Sequence, residues 1–396
     1  MDSPKEGLVT LAQRLQHLES SPTLALAAKA KALAKSGKPV LDFTAGEPDA
    51  PTPAHIKRAA IQAIEANKTK YTPVAGIPEL RNAIAETLNR QHGTRYAASE
   101  VVVSCGAKHS LYNIFQALCQ AGDEVVVFAP YWVSYPPLVE LAGAKPVIVP
   151  TTEADGFLPD VQRLAAAVTS ATKAIILNSP SNPTGAVIDQ ARLSAIAKLA
   201  LQKHLVVVSD EIYDQLVYPP AMHRSIVAVA PELIDQTILV GGVSKTYSMT
   251  GWRIGWAVAP QSLADAMTNL QSHSTSNPAS MSQYAALAAL KGDQQPVAHM
   301  RAEFETRRNR IVEGLNHIAP LRCTMPGGAF YAWCNVSGLG LSADRIASEW
   351  LEQAFVAVVP GEGFGAPGDV RFSFATSLPI IEEGLQRIQQ WVASHR

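Results

Sequence analysis

The sequence predicts an α/β protein in which a mostly parallel, seven-stranded sheet covered by helices is followed by a smaller α/β domain. Three observations predict it. From residue 52 to about 290, short and continuously apolar runs alternate with segments of helical spacing, the pattern of buried parallel strands joined by crossover helices. Beyond that point the texture changes to a long helical stretch rich in arginine (Arg301, Arg307, Arg308, Arg310) and a few separate strands. The chain has 396 residues, 47% hydrophobic and only 17% charged, against the ~25% charged residues of an average soluble domain. A chain of this length and composition can bury a large core and still hide surface against another subunit.

In chain order, Pro22–Lys35 reads as a helix capped by Ser21 and stopped by Gly37. Helices are expected from Thr52-Pro53 to about Ala66, and from Ile77-Pro78-Glu79 to Gly93. The strand Val101–Val103 precedes a helix from Lys108 to Gln120, in which Leu111, Ile114, Phe115 and Leu118 share one face. Six further strands, Glu124–Ala129, Lys145–Val149, Lys173–Leu177, Leu205–Ser209, Thr237–Val240 and Ile254–Val258, complete the sheet. Helices such as Asp160–Val168 and Gln190–Lys203 separate them. The C-terminal part carries strands near Ala329–Asn335, Ala357–Val359 and Val370–Phe374, flanked by helices Ala343–Gln353 and Ile380–Ser394. Residues 1–45 are expected to form an arm and helix that join the small domain, 46–290 the large domain, and 291–396 the small C-terminal domain.

Charge narrows the partners. The net charge is −1 and there is no basic block, which argues against nucleic acid or an anionic membrane. No apolar run approaches the ~18 residues of a membrane span. Met1–Lys31 contains Asp2, Lys5, Glu6, Arg14 and Glu19 and so lacks the apolar core of a signal peptide, leaving a soluble, cytoplasmic protein as the expectation. Cys105, Cys119, Cys323 and Cys334 are spaced neither for zinc nor for a disulfide scaffold, and no metal is expected.

Several segments could carry chemistry. Gly363-Phe364-Gly365-Ala366-Pro367-Gly368 matches the dinucleotide pattern, but a strand follows where that fingerprint needs a helix, so it reads as a turn. Ser244-Lys245 lies among small residues between two apolar strands, a setting that can desolvate an amine into a Schiff-base nucleophile. Asp210 and Glu211 end a strand, where one carboxylate can meet a protonated ring nitrogen or simply cap a helix. Asn178 to Gly185 is a rigid turn in which Asn182 can offer its amide to a ligand. Ser104-Cys105-Gly106-Ala107-Lys108 joins a strand to a helix whose free N–H groups can cradle a phosphate.

Taken together these segments resemble the class I aminotransferases, fold-type I enzymes that use pyridoxal 5'-phosphate. The resemblance is carried by Thr44-Ala45-Gly46-Glu47-Pro48-Asp49, Tyr71-Thr72-Pro73, Gly76-Ile77-Pro78-Glu79-Leu80-Arg81, Pro130-Tyr131-Trp132, Asn182-Pro183-Thr184-Gly185, Ser209-Asp210-Glu211-Ile212-Tyr213, Ser244-Lys245, Gly251-Trp252-Arg253-Ile254-Gly255 and Arg371-Phe372-Ser373. It covers nearly the whole chain. Gly106-Ala107-Lys108 and Tyr131-Trp132-Val133-Ser134-Tyr135-Pro136 make it most similar to the bacterial subgroup Ib aspartate aminotransferases.

The resemblance implies a role for each residue. Lys245 would hold the cofactor and move the substrate proton, with Asp210 keeping the pyridine nitrogen protonated and Tyr213 and Asn182 bonding the phenolic oxygen. Trp132 would stack on the ring, while Ser244, Arg253 and the turn Gly106-Ala107-Lys108 would hold the phosphate. Tyr71 would reach that phosphate from the other subunit of a homodimer. Arg371 would fork onto the substrate α-carboxylate, with Gly46, Asn182 and Trp132 around it and Lys108 on a side-chain carboxylate.

The implied reaction is a ping-pong exchange between an amino acid and a 2-oxo acid, with aspartate or glutamate and 2-oxoglutarate or oxaloacetate as the leading pair. Glu19 stands where the branch commonly has a second basic residue. That leaves a neutral or aromatic amino acid as the alternative, and argues against prephenate. A lyase, decarboxylase or oxidase on the same fold also stays open. A ligand-sensing regulator does not fit, because 45 residues before Gly46 are too few for a DNA-binding domain.

Overall fold

The computed structural model describes residues 11–15 and 22–395, so Glu19 and the expected cap Ser21 lie outside the described residues. After β1 (Leu41–Asp42), seven strands build the large sheet: β2 (Val101–Ser104), β3 (Glu124–Ala129), β4 (Lys145–Pro150), β5 (Thr172–Asn178), β6 (Val206–Asp210), β7 (Thr237–Gly242) and β8 (Gly255–Val258). Their spatial order is β2-β8-β7-β6-β5-β3-β4. All neighbours are parallel except β8, which runs antiparallel to both β2 and β7. The seven expected strands are all present, each within two residues of its expected ends.

Alternation along these strands makes two cores from one sheet. Val101, Val103, Val126, Ile175, Val207 and Leu239 face one set of helices. Val102, Val125, Val127, Ile176, Val208 and Ile238 face the other. Helices end where the sequence stops them: Pro78–His92 runs into Gly93, which adopts φ 70.

The C-terminal part is built on β9 (Arg322–Cys323), β10 (Tyr331–Asn335), β11 (Val356–Ala357), β12 (Val359–Pro360) and β13 (Asp369–Ser373). Strands β12-β13-β10-β9 form an antiparallel sheet, while β11 pairs in parallel with β1. The helix Pro22–Lys35 follows the same partner, its Leu26, Ala30 and Leu33 packing with Leu351 and Ala357. The aromatic core of this part (Phe304, Phe330, Trp350, Phe372, Trp391) also takes in Ile212, Tyr213, Leu216 and Tyr218 from the loop after β6. That loop therefore belongs to both sheets.

Some details depart from the sequence reading and one bears it out. The expected strand Ala357–Val359 is two short strands, and β1 and β9 were not expected at all. The expected helix Ala343–Gln353 widens into a π turn at Trp350–Ala354. The glycine-rich Gly363–Gly368 stretch is a turn, as read, entered by a short helical turn at Gly361–Phe364 and followed by β13.

Candidate active site

Register places the chemistry of the large sheet at one edge. Asn178 stands beside Asp210, Asp210 beside Val240, and Gly242 beside Gly255. The loops leaving β5, β6 and β7 therefore open on a common crevice. In the sheet order, β4 lies on one side of β3 and β5 on the other, the kind of switch point at which open α/β sheets bind ligands.

The loop after β7 carries Lys245, whose Nζ donates to the Gly46 carbonyl at 2.5 Å. Burial lowers its pKa to about 8, opposed by the charge of Glu47, helped by Arg371 and Arg253, and opposed again by Asp210. An amine shifted this far is partly neutral near neutral pH, as a nucleophile or base must be. Ser244 beside it is buried, its carbonyl held by the Met249 amide at 3.0 Å.

Asp210 ends β6 and is 3% exposed. Its carboxylate accepts from the Tyr135 hydroxyl at 2.7 Å and the Ile212 amide at 3.2 Å. Burial outweighs those two bonds and lifts its pKa to about 6, with the charge of Glu211 adding and that of Lys245 subtracting. The alternation that sorts the two cores also sorts these neighbouring acids. Asp210 takes the face of Val208 and Tyr135, while Glu211 takes the face of Val207. There Glu211 accepts from Ser209 Oγ (2.8 Å), Ser225 Oγ (2.7 Å) and His223 Nε2 (3.3 Å). Of the two acids left open by residue chemistry, Asp210 alone shares its pocket with Lys245.

The helix Ala107–Leu118 begins after Gly106, which adopts φ 90, and no side chain caps its first amides. A Cβ on Gly106 would collide with the Arg253 guanidinium. Arg253 donates to the Thr250 carbonyl (2.8 Å) and the Cys105 carbonyl (3.3 Å), which clamps it against the open helix end. Free N–H groups beside a guanidinium make an anion cup. Lys108 lies 4.8 Å over the Trp132 ring, and its pKa is lowered by burial and then by Arg253. Trp132 meets Tyr135 edge-on at 5.4 Å.

From the other sheet, β13 brings in Arg371. It is 3% exposed and stacked 4.4 Å from the Tyr331 ring and 5.2 Å from the Phe364 ring. Its Nη1 donates to Asn182 Oδ1 (2.9 Å) and Nη2 to the Thr44 carbonyl (3.0 Å), while Nε has no partner among the described residues. No carboxylate pairs with it among those residues. A buried guanidinium left unneutralised is a receptor for an anion. Tyr213 reaches the same corner through a 3.0 Å contact between its hydroxyl and that of Tyr331.

Nearly all the expected site residues thus gather in one crevice between the two sheets. Tyr71 does not. It is 90% exposed, and no hydrogen bond or ring contact among the described residues ties it to the crevice. Sequence reasoning gave no role to Tyr135, Tyr331 or Thr44. Tyr135 and Thr44 stood in the segments Tyr131–Pro136 and Thr44–Asp49, whereas Tyr331 gains its meaning only from Arg371 beside it.

The chain as a whole has counterparts among known proteins. Residues 38–388 match the family model described as aminotransferase class I and II. The chain is 46% identical over 390 residues to the aspartate aminotransferase of Bacillus subtilis (strain 168), covering 97% of this chain and 99% of that protein. It is 44% identical over 380 residues to the aspartate/prephenate aminotransferase of Thermus thermophilus, covering 95% and 97%. The structure of Thermus thermophilus aspartate aminotransferase with maleate superimposes with a TM-score of 0.93 at 43% identity, covering 97% of this chain and all of that one. The crevice with its half-buried lysine and unpaired arginine, and likeness over the whole length, lead to one conclusion: this chain belongs to the class I and II aminotransferases and is a pyridoxal phosphate-dependent aminotransferase.

Proposed function

We propose that the enzyme transfers the amino group of aspartate or glutamate to a 2-oxo acid, with 2-oxoglutarate and oxaloacetate as the acceptors. The single observation that carries this reading is Arg371, a buried guanidinium whose bonds go only to neutral oxygens and whose Nε is free among the described residues. It is suited to an α-carboxylate held in a bidentate fork. Lys108, at the rim over Trp132, is a cation for the second carboxylate of a dicarboxylic substrate. Glu19 lies outside the described residues and adds nothing for or against.

The residues present fit the cofactor. The cup at Gly106, closed by Arg253, suits its phosphate, with Ser244 and the amides of Ala107 and Lys108 as further donors. Asp210 suits the ring nitrogen, Asn182 and Tyr213 the phenolic oxygen, Trp132 the ring face, and Lys245 the covalent bond. When bound, pyridoxal phosphate supplies the electron sink that stabilises the carbanion left at the substrate Cα. Lys245 Nζ, neutral in part because burial lowers its pKa, would take the proton from Cα of the amino acid in one half-reaction and deliver a proton to Cα of the incoming oxo acid in the other. Arg371 fixes the α-carboxylate so that the Cα–H bond meets that amine. Asp210, ionised above about pH 6, offers a negative partner to a protonated ring nitrogen.

The same reading makes the enzyme a cytoplasmic homodimer in which Tyr71 completes the phosphate site of the other subunit. The 90% exposure of Tyr71 and the exposed Ile61 and Ile64 on the helix Ala54–Glu65 support it. No helix among the described residues is long and apolar enough to cross a membrane. The reading keeps residues 46–290 as the cofactor-holding domain, and residues 1–45 with 291–396 as the smaller one, supported by the separate hydrophobic clusters.

A single-turnover experiment tests the substrate. Cofactor-loaded enzyme is mixed with one amino acid at a time, without an oxo acid, and the visible absorption of the lysine-bound cofactor is followed. Rapid loss with aspartate and glutamate is expected. Rapid loss only with neutral or aromatic amino acids would overturn the dicarboxylate assignment.

A further inference from the structure

The segment Thr72–Ile77 has no helix or strand of its own, yet its backbone is held at point after point. The Val103 amide of β2 donates to the Ala75 carbonyl, and the Gly76 amide closes a turn on the Pro73 carbonyl, both at 2.9 Å. Gly76 adopts φ 103, and a Cβ there would lie 2.7 Å from Val103 Cγ2, so the turn sits hard against β2. Two glutamines supply the remaining ties. Gln283, in the helix Ser280–Lys291, accepts from the Ile77 amide (2.7 Å) and donates to Thr72 Oγ1 (3.0 Å) and the Pro278 carbonyl (2.8 Å). Gln271, in the helix Gln261–Ser272, donates to the Val74 carbonyl (2.7 Å) and the Val103 carbonyl (2.9 Å). It accepts from Ser104 Oγ (2.8 Å) and Asn113 Nδ2 (3.0 Å).

Both glutamines are fully buried, and every donor and acceptor of their amides is used. Two buried amides from separate helices thus converge on one short segment. What that segment presents is Tyr71, 90% exposed and without a hydrogen bond among the described residues. Among the described residues, no partner of Tyr71 makes use of that order.

We propose that Gln271 and Gln283 are positioning residues that hold residues 72–77 as a rigid bracket, so that Tyr71 enters the phosphate site of a second copy of this chain already ordered. This rests on the reading above that Tyr71 acts across a homodimer. A tyrosine on a loose loop would give up backbone freedom each time it engaged, and the bracket removes that cost beforehand. Gln271 also bonds Ser104, at the entrance to its own subunit's phosphate cup, and so joins the outgoing bracket to the cup that receives the partner's tyrosine. Gln283 and Thr72 have no bond to the cup, which makes them the discriminating positions.

In homodimers, Gln283→Leu is expected to weaken cofactor binding about tenfold and Thr72→Val about threefold. The readout is cofactor retained after dialysis and its dissociation constant by fluorescence quenching, with near-UV circular dichroism unchanged. Mixed dimers with Lys245→Ala decide the matter. In a Q283L/K245A heterodimer, the one site with a lysine takes its Tyr71 from the K245A subunit, whose bracket is intact. Retention at that site, read from the visible band that only a lysine-bearing site gives, is expected to return to the wild-type value. Weak retention persisting in the heterodimer would place the defect within its own subunit and overturn the proposal.

Tyr71→Ala mixed with Lys245→Ala is the reference. If that mixture is not rescued, Tyr71 does not act across the interface and the underlying reading fails. If it is rescued while Gln283→Leu is not, the bracket alone fails. Should Gln283→Leu not fold, Thr72→Val in the same mixtures separates the same outcomes.

Discussion

Arg371 and Arg253 are both anion receptors of one crevice, and they are built in opposite ways. Arg371 is buried between two aromatic rings and donates to oxygens that carry no formal charge. Arg253 is exposed and clamps a helix end whose amides do part of the work. The first site carries a desolvated charge that only an arriving anion can neutralise, so it discriminates. The second spreads its attraction over a guanidinium and backbone N–H groups, so it retains. On the proposed reading, Arg371 takes the transient substrate and Arg253 the resident cofactor, and the two call for that division.

The largest effect should come from breaking the buried member. Arg371→Leu is expected to reduce kcat/KM for every amino acid by about 10²–10⁴-fold, the ~3–5 kcal/mol scale of a buried charge partner removed. Cofactor affinity should stay unchanged, and an equal loss of both would erase the contrast.

Asp210 extends the comparison to a buried acid. Its pKa is about 6 in the folded chain, against ~3.9 unfolded. The folded state then binds the proton more tightly, so stability from this group falls as pH rises from about 4 to about 6. In cofactor-free protein, Asp210→Asn should remove that slope, a relative change of up to about 3 kcal/mol across the window by urea unfolding. A flat difference between wild type and variant would mean that burial does not govern this carboxyl.

Arg253→Leu should weaken cofactor binding by about 10–100-fold, for one lost charge-assisted contact. KM for amino acids, measured at saturating cofactor, should not move. The smallest effect is expected from Tyr135→Phe. Losing the hydroxyl that holds the Asp210 carboxylate at 2.7 Å should cost about 1 kcal/mol, a few-fold in kcat, and move the acid limb of the pH profile upward.

Legibility followed burial pattern. Most strands of the large sheet could be read because both faces are covered and their residues are largely apolar, as in Val101–Val103; the edge strand β4, with exposed Lys145 and Ile148, was legible by its apolar stretch alone. The strands β1 and β9 could not, since two residues carry no period and exist as strands only through β11 and β10. The main site residues were legible as types at strand ends, but Arg371's setting was not. Nothing in the spacing of Tyr331 and Phe364 says that their rings will enclose one guanidinium. Gln271 and Gln283 sit in helical segments where a glutamine reads as a solvated surface residue, and only the fold shows them buried.

The back-to-back acids at the end of β6 give that strand a parity. Asp210 and Glu211 are separated by one peptide yet belong to different pockets, so substitutions along Val206–Ser209 alter packing while leaving the assignment intact. A change of length is different in kind. Inserting or deleting one residue would exchange the two acids, sending a glutamate toward Tyr135 and an aspartate toward Ser225 and His223. Two would restore the order. The strand is therefore read in a frame of two, and its length is under tighter constraint than its sequence.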